Sequence, residues 1–352
     1  MIPLYKPYMP EYLPELDSIL HSGALSYGKW GKIFEEKLGN YIGEKNIAVV
    51  NSFNSAMLVV LTTLGLKSGD EVVASPMSCL ASNQPFVTLG VKVIWADIDP
   101  DTGTLSPDSV REKITLNTKA IFHNHHCGYP GYIDEINAIG KEFGIFVVDD
   151  AIEAFGSEYK GRKVGNTGAD ATVFSFQTVR LPNTVDGGAF IFKDDYLFEK
   201  AKLVRDLGVN RLNFRDSLGE ISALCDIVLP GYGVTLSEIN SYIGVLQMEQ
   251  INNLLNIQRD NATNWKSKIS SEFHNSKIID KAFHQPNYWI FGFLVEDKLQ
   301  TIQYFRKQGF YASGVHLPNT NYSVFGKQGV FAGVQMFYSK FVALPAGWWF
   351  KL

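Results

Sequence analysis

The stretch IFVVDDAIEAFGSEYKGRKVGNTGADATVFSFQTVRLPNTVDGGAF (residues 145–190) holds short β-branched or aromatic runs that each break off at polar side chains. IFVVDDA (145–151) reads as a strand with Asp149 and Asp150 at its C-terminal end. Carboxylates at that edge of a parallel strand face the crevice where open α/β sheets bind ligands. Spacing alone also allows Asp150 to cap the turn or helix that follows. TVFSF (172–176) reads as a second strand, running into Gln177, and the turn Asp186-Gly187-Gly188 opens a third, GGAFIF (187–192).

Outward from this stretch the same alternation continues. IAVV (47–50), EVVAS (71–75), KVIWADI (92–98) and AIFHNHH (120–126) have strand character. FEEKLGNYIG, SAMLVVLTTLGL, IDEINAIGKEFG and YLFEKAKLVRDLG space their apolar residues by three and four and stop near glycines. Six or seven strands with crossover helices predict an α/β fold built on a mostly parallel sheet. Near residue 230 the pattern changes to SEINSYIGVLQMEQINNLLNIQRDNATNWKSKI, one long helix able to bridge two domains. The expected division is a large α/β domain over residues 1–240 and a smaller α+β domain over 241–352.

The chain has 352 residues, 45% hydrophobic and 19% charged, an ordinary globular composition. With 32 basic against 36 acidic residues it has no broad positive field for a phosphate backbone, so a nucleic-acid partner is not expected. Its three cysteines (Cys79, Cys127, Cys225) form no CxxC and suit a reducing compartment. No apolar run approaches the roughly 18 residues of a membrane span, and the proline-broken N-terminus has no apolar signal core. Cytoplasmic location and no membrane insertion are the expectations. A strand-to-helix junction at NSFNSAM (51–57) offers hydroxyls, amides and a helix N-terminus to a phosphate.

Together these motifs resemble the sugar aminotransferases of the DegT/DnrJ/StrS family over nearly the whole chain. GKWGKIFEEKLGNYIG (28–43), VKVIWADIDPDTGTLSPDSV (91–110), VVDDAIEAFGSEYKGRKVGNTG (147–168), VFSFQTVRLPNTVDGGAF (173–190) and GYGVTLSEINSYIGVLQMEQI (231–251) match family segments in order and register. The resemblance implies the PLP-dependent transferase fold of aspartate-aminotransferase type, a seven-stranded sheet flanked by helices, in a homodimer. It implies pyridoxal 5′-phosphate (PLP) or pyridoxamine 5′-phosphate (PMP) as cofactor, a nucleotide-linked sugar as substrate and glutamate as amino donor. The pathway implied is amino-sugar synthesis for surface polysaccharide, such as the O-antigen of lipopolysaccharide.

By that resemblance Asp150 would hold the pyridinium nitrogen protonated, and Glu153 stands where the family has Gln or His beside the ring oxygen. Ser175 and Gln177 match positions near the phosphate, and Ser52, Phe53 and Asn54 form the turn that would add backbone amides. Cys79 takes the place of an aromatic ring that stacks on the cofactor, and Ser237 that of an asparagine reaching from the neighbouring subunit. Arg180 occupies the position of the Schiff-base lysine. Its guanidinium stays protonated with a pKa above roughly 12, a poor nucleophile and base.

Several readings of Arg180 stay open: a catalytically degenerate homologue that binds sugar or a partner, an engineered substitution, a PMP-using enzyme similar to the family's lysine-lacking dehydratases, or an aminotransferase served by another lysine. Lys160 and Lys163 are the nearest candidates, in a turn-like segment. As a binding group, Arg180 would pair with the cofactor phosphate, a sugar diphosphate or Asp186.

HNHHC (123–127) suggests a metal site, but strand alternation puts His123 and His125 on one face and His126 on the other, so no zinc is expected. By resemblance His125 lines the pocket. In GVHLPNTNYSVFG (314–326), His316 and Asn319 could bond sugar hydroxyls, while Tyr322, Trp348 or Trp349 could stack on a ring. Arg211 and Arg215 could meet a nucleotide diphosphate by bidentate contacts.

Overall fold

The computed structural model describes residues 1–282, 284–327 and 329–352. The nine strands before the long helix are β1 (Ile47–Val50), β2 (Glu71–Ala74), β3 (Lys92–Trp95), β4 (Thr118–Asn124), β5 (Phe146–Ala151), β6 (Glu158–Tyr159), β7 (Arg162–Lys163), β8 (Ala171–Ser175) and β9 (Gly188–Phe192). Seven of them form one sheet in the order β1-β9-β8-β5-β4-β2-β3. Only β9 runs antiparallel to its neighbours β1 and β8. The expected α/β sheet is therefore present, and crossover helices cover both its faces.

Local chemistry starts these helices. Ser52, Ser106 and Asp194 accept the N–H three residues on and cap the helices Phe53–Thr63, Pro107–Lys113 and Asp195–Arg205. Gly43 and Gly144 end Lys29–Ile42 and Ile133–Phe143 in left-handed conformation. Leu80–Thr88 is a helix that sequence periodicity did not reveal, because Pro85 interrupts it. Burial supports it: Phe86 is fully enclosed and meets the ring of Phe122 at 4.5 Å.

The helix Glu238–Glu272 joins two cores. Its first half packs Val245, Met248 and Ile251 with Phe34 and Leu38 against the large sheet. A Cβ on Gly244 would stand 2.6 Å from the Phe34 ring, so the crossing of these helices requires glycine there. Its second half packs Ala262, Trp265 and Ile269 with Phe291, Phe293 and Phe305. That second core lies against a sheet of β10 (Lys277–Ile278), β12 (Phe291–Leu294) and β13 (Phe341–Leu344), while β11 (His284–Gln285) pairs with the β6–β7 hairpin. Leu4 and Met77 join the second core, which draws the N-terminus and the loop after β2 toward the segment carrying Trp289.

Candidate active site

Alternation along β5 sends its two terminal carboxylates to opposite faces. Asp149 shares a face with Val147, which packs on the helix Ile133–Phe143. His123 Nδ1 lies 2.8 Å and His125 Nε2 3.0 Å from its two oxygens, and Thr167 donates a third bond. The Gly131 N–H donates to His125 Nδ1, which fixes Nε2 as the protonated nitrogen facing Asp149. Burial alone would raise the Asp149 pKa, but His125 and His123 hold it well below the usual range. His125, expected to line the pocket, is instead buried in this network at 1% exposure. The groups meeting at Asp149 are hydrogen-bonded to one another, which accounts for the His123, His125 and Asp149 cluster without a metal.

Asp150 shares its face with Val148, on the side of the helix Phe53–Thr63. It is 3% exposed, and its Oδ1 accepts the Ile152 N–H at 3.1 Å. Burial pushes its carboxyl up to about 6, reinforced by the nearby Glu153 and Asp149. A cationic partner would restore the ionised form.

Glu153 gathers donors from three regions. Cys127 N–H donates to its Oε2 at 2.8 Å, while Arg180 Nη1 at 3.4 Å and His316 Nε2 at 2.8 Å face its Oε1. Burial works against ionisation, but His316 and then Arg180 hold Glu153 down to about 2. Arg180 is only 7% exposed, and its guanidinium lies 4.2 Å from the Trp289 ring centre, on which Tyr5 stacks at 4.5 Å. The pairing of Arg180 with Asp186 does not form: Asp186 is exposed and accepts the Gly187 N–H. A carboxylate 27 residues upstream takes that place. Cys79 caps no amide with its side chain, and burial pushes its thiol up to about 11, so it is neither a nucleophile nor a stacking ring.

The cradle lies at the start of the helix Phe53–Thr63. Ser52 Oγ accepts the Ser55 N–H at 3.1 Å, Phe53 is buried and Asn54 is exposed. A Cβ on Gly188 would stand 2.8 Å from the Ser52 carbonyl oxygen and 3.0 Å from Phe53 N, so glycine lets β9 close against this turn. Ser175 is buried and Gln177 exposed, with the Gln177 N–H 3.4 Å from Ser175 Oγ. Ser237 caps the long helix by accepting the Asn240 N–H, and Asn240 donates to the Thr184 and Asp186 carbonyls. Asn240 thus ties the helix start to the loop carrying Arg180.

Of the other candidates, only His316 joins this site. Asn319 is fully buried and donates to the Pro76 and Ser78 carbonyls, anchoring the loop before Cys79. Tyr322 packs on the large-sheet core. Arg211 is exposed and paired with Asp206 through two bonds, and Arg215 donates to the Gly219 carbonyl. Lys160 pairs with Asp134 and Lys163 donates to the Tyr41 carbonyl, both on the β6–β7 hairpin. Trp289 and Glu238 escaped the sequence reading. Glu238 takes the N–H groups of Gly28, Trp30 and Gly31 and so supplies the cap that Gly28 lacks, a glycine-led helix start being its one sequence signal.

The geometry therefore shows a helix N-terminus closed by Gly188, a buried carboxyl at the β5 strand end and a loop cation paired with the nearby Glu153. Residues 9–345 match the DegT/DnrJ/EryC1/StrS aminotransferase family. The chain belongs to this family. An uncharacterised protein of Methanocaldococcus jannaschii is 29% identical over 98% of the chain and 92% of its own length. The sugar aminotransferase CalS13 of Micromonospora echinospora superposes with a TM-score of 0.92 at 26% identity, over 100% of this chain and 96% of that one. Spr1654 of Streptococcus pneumoniae, a putative sugar aminotransferase known in PLP and PMP forms, shares the fold at 22% identity with a TM-score of 0.88, over 99% of this chain and 94% of that one. PLP and its amine form are the family's cofactors.

The residues fit that cofactor at two of its three ends. The Ser52–Asn54 turn, closed by Gly188, suits a phosphate, and the buried Asp150 carboxyl suits a ring nitrogen whose positive charge it would balance. Beside Glu153 the site holds Arg180, whose guanidinium supplies no free amine. Among the described residues no helix is long and apolar enough to cross a membrane.

Proposed function

We propose that the protein is a nucleotide-sugar aminotransferase homologue of altered catalysis, which holds PLP or PMP without a covalent link. The observation that carries this reading is that Arg180, which the family resemblance sets at the lysine position, is buried and engaged with Glu153 and Trp289. When bound, the cofactor supplies an electron sink for charge developing at the substrate carbon. Asp150 would face the ring nitrogen, and Ser52, Phe53, Asn54 and Ser175 the phosphate, while Arg180 contributes fixed positive charge and moves no proton.

The expected substrate is a keto-sugar on a nucleotide, with glutamate as donor, in a cytoplasmic step of surface-polysaccharide synthesis. A homodimer is expected from the family resemblance, and the segment at residues 210–230 exposes Leu212 (90%), Leu218 (85%) and Leu224 (95%), side chains a partner could cover. A second reading is the PMP-using dehydratase, and His316 favours it. Its imidazole, 2.8 Å from Glu153, is a proton-carrying group at the site where Arg180 is not.

Absorbance spectra with PLP before and after borohydride, with intact-mass measurement, test the proposal. Bound PLP without an adduct is expected, and Arg180→Lys is expected to create one. A wild-type adduct mapped to a lysine would overturn the reading in favour of ordinary transamination.

A further inference from the structure

His123 and His125 are spent on Asp149, but the third histidine of the HNHHC run is not. His126 opens a tight turn, His126–Gly128, in which Cys127 takes a left-handed φ of 54°. Cys127 Sγ lies 3.5 Å from His126 Nε2. The same sulfur, a Glu153 oxygen and a His316 ring nitrogen all lie within 4.8 Å of one another. The His126 and His316 ring centres are 5.9 Å apart. Cys127, His126 and Glu153 are buried, while the His316 side chain, 14% exposed, forms the outer wall.

A thiol, two imidazoles and a carboxylate are the mixed soft and borderline donors that suit a four-coordinate Zn2+. With bonds of about 2.0–2.3 Å to a tetrahedral ion, neighbouring ligand atoms stand roughly 3.3–3.7 Å apart. The Cys127–His126 pair already has that spacing at 3.5 Å. The His316–Glu153 pair, now hydrogen-bonded at 2.8 Å, has to open by about 0.5 Å, and no two of the three atoms within 4.8 Å have to close by more than about 1.3 Å. The Cys127 N–H holds Glu153 Oε2 at 2.8 Å and Arg180 faces Oε1, so outer donors orient the carboxylate as they do in metal sites. The Asp149 cluster has no thiol, and both of its imidazoles are committed to the carboxylate.

We propose that His126, Cys127, Glu153 and His316 form a Zn2+ site. Binding replaces protons with the ion: the Cys127 thiol proton leaves to solvent, and the proton on His316 Nε2 leaves to solvent or moves to Nδ1. The thiolate and the carboxylate then balance the two charges of Zn2+, and Arg180 stays as an outer partner of Glu153. Entry is on the His316 side, where the ligand set reaches the surface. The inference goes beyond amino transfer and holds whether or not the chain transfers an amine.

Cobalt titration of the full-length protein tests it, with the chain reduced, stripped with a chelator and free of PLP. Co2+ is expected to produce a near-ultraviolet thiolate-to-metal charge-transfer band together with the visible bands of four-coordinate cobalt, saturating at one ion per chain. Zn2+ should bleach these bands and Mg2+ should not. Cys127→Ser should abolish the charge-transfer band, whereas His316→Gln should keep it and weaken Zn2+ binding about tenfold or more. Cys79→Ser and Cys225→Ser should change neither. Should Cys127→Ser fail to fold, His316→Gln and the other two cysteine variants carry the test. Cobalt bound without the charge-transfer band, a band that survives Cys127→Ser or disappears with Cys79→Ser or Cys225→Ser, or Zn2+ affinity unchanged in His316→Gln, would overturn the proposal.

Discussion

The two faces of the β5 strand end carry neighbouring carboxylates with opposite fates. On one face Asp149 is enclosed by two imidazoles and a threonine hydroxyl, and each of its oxygens has a donor. On the other, Asp150 accepts the Ile152 N–H at Oδ1 with the Ser82 hydroxyl nearby, and the adjoining Glu153 and Arg180 leave a buried guanidinium nitrogen unmet. Both carboxyls are buried, so burial does not distinguish them. The hydrogen bonds at the carboxyl do. Both Asp149 oxygens are met by side-chain donors, although His123 Nε2 is itself unmet among the described residues. Asp150 is raised in pKa by its burial and the adjoining Arg180 Nε is unmet, as expected where a ligand completes the set.

Breaking the saturated face should cost the most. Asp149→Asn removes the anion that His123 and His125 share, and a loss of about 3–5 kcal/mol is expected in urea unfolding, with little change in PLP affinity of the folded fraction. A milder loss, or one confined to PLP binding, would mean that this face too belongs to the site.

Glu153 sharpens the contrast through pH. Its folded pKa of about 2 lies below the ordinary 4.5, so its ionised form favours the folded state. That stability is fully present above pH 4.5 and drains as pH falls toward 2, about 3 kcal/mol in all. Glu153→Gln should flatten this part of the acid-unfolding profile while lowering stability at neutral pH, because Arg180 loses its partner. An unchanged slope below pH 4.5 would break the assignment.

Asp150 should show the smaller effect with the reverse sign. Its folded pKa of about 6 exceeds the ordinary 3.8, so the folded state holds the proton longer and stability falls as pH rises from 3.8 through 6. Without cofactor, Asp150→Asn is therefore expected to gain roughly 2 kcal/mol relative to wild type between pH 4 and pH 8, measured by denaturant midpoints. The same substitution should weaken PLP binding, and stronger binding would show that Asp150 does not face the ring nitrogen.

Much of the fold was legible because its signals are local. The short β-branched runs of β1, β2 and β5, the helix 133–143 ending at Gly144, and the Ser52 cap each depend on neighbours a few residues away. The site was legible in part for the same reason, since the strand-end pair Asp149-Asp150 stands out in the sequence, although both were expected to face the crevice. Leu80–Thr88 was hidden because Pro85 weakens the local pattern that burial of Phe86 overrides.

By itself the sequence determined the α/β class and the strand-end carboxylates, because side-chain type and short-range periodicity suffice for these. Only the tertiary structure decided what the arginine does. Glu153 and His316, 163 residues apart, meet at one carboxylate oxygen, and Glu238 caps a helix whose first amide lies 210 residues away. Partners at such separation leave no periodic trace. A buried donor can be recognised as unmet only once every acceptor around it has its place.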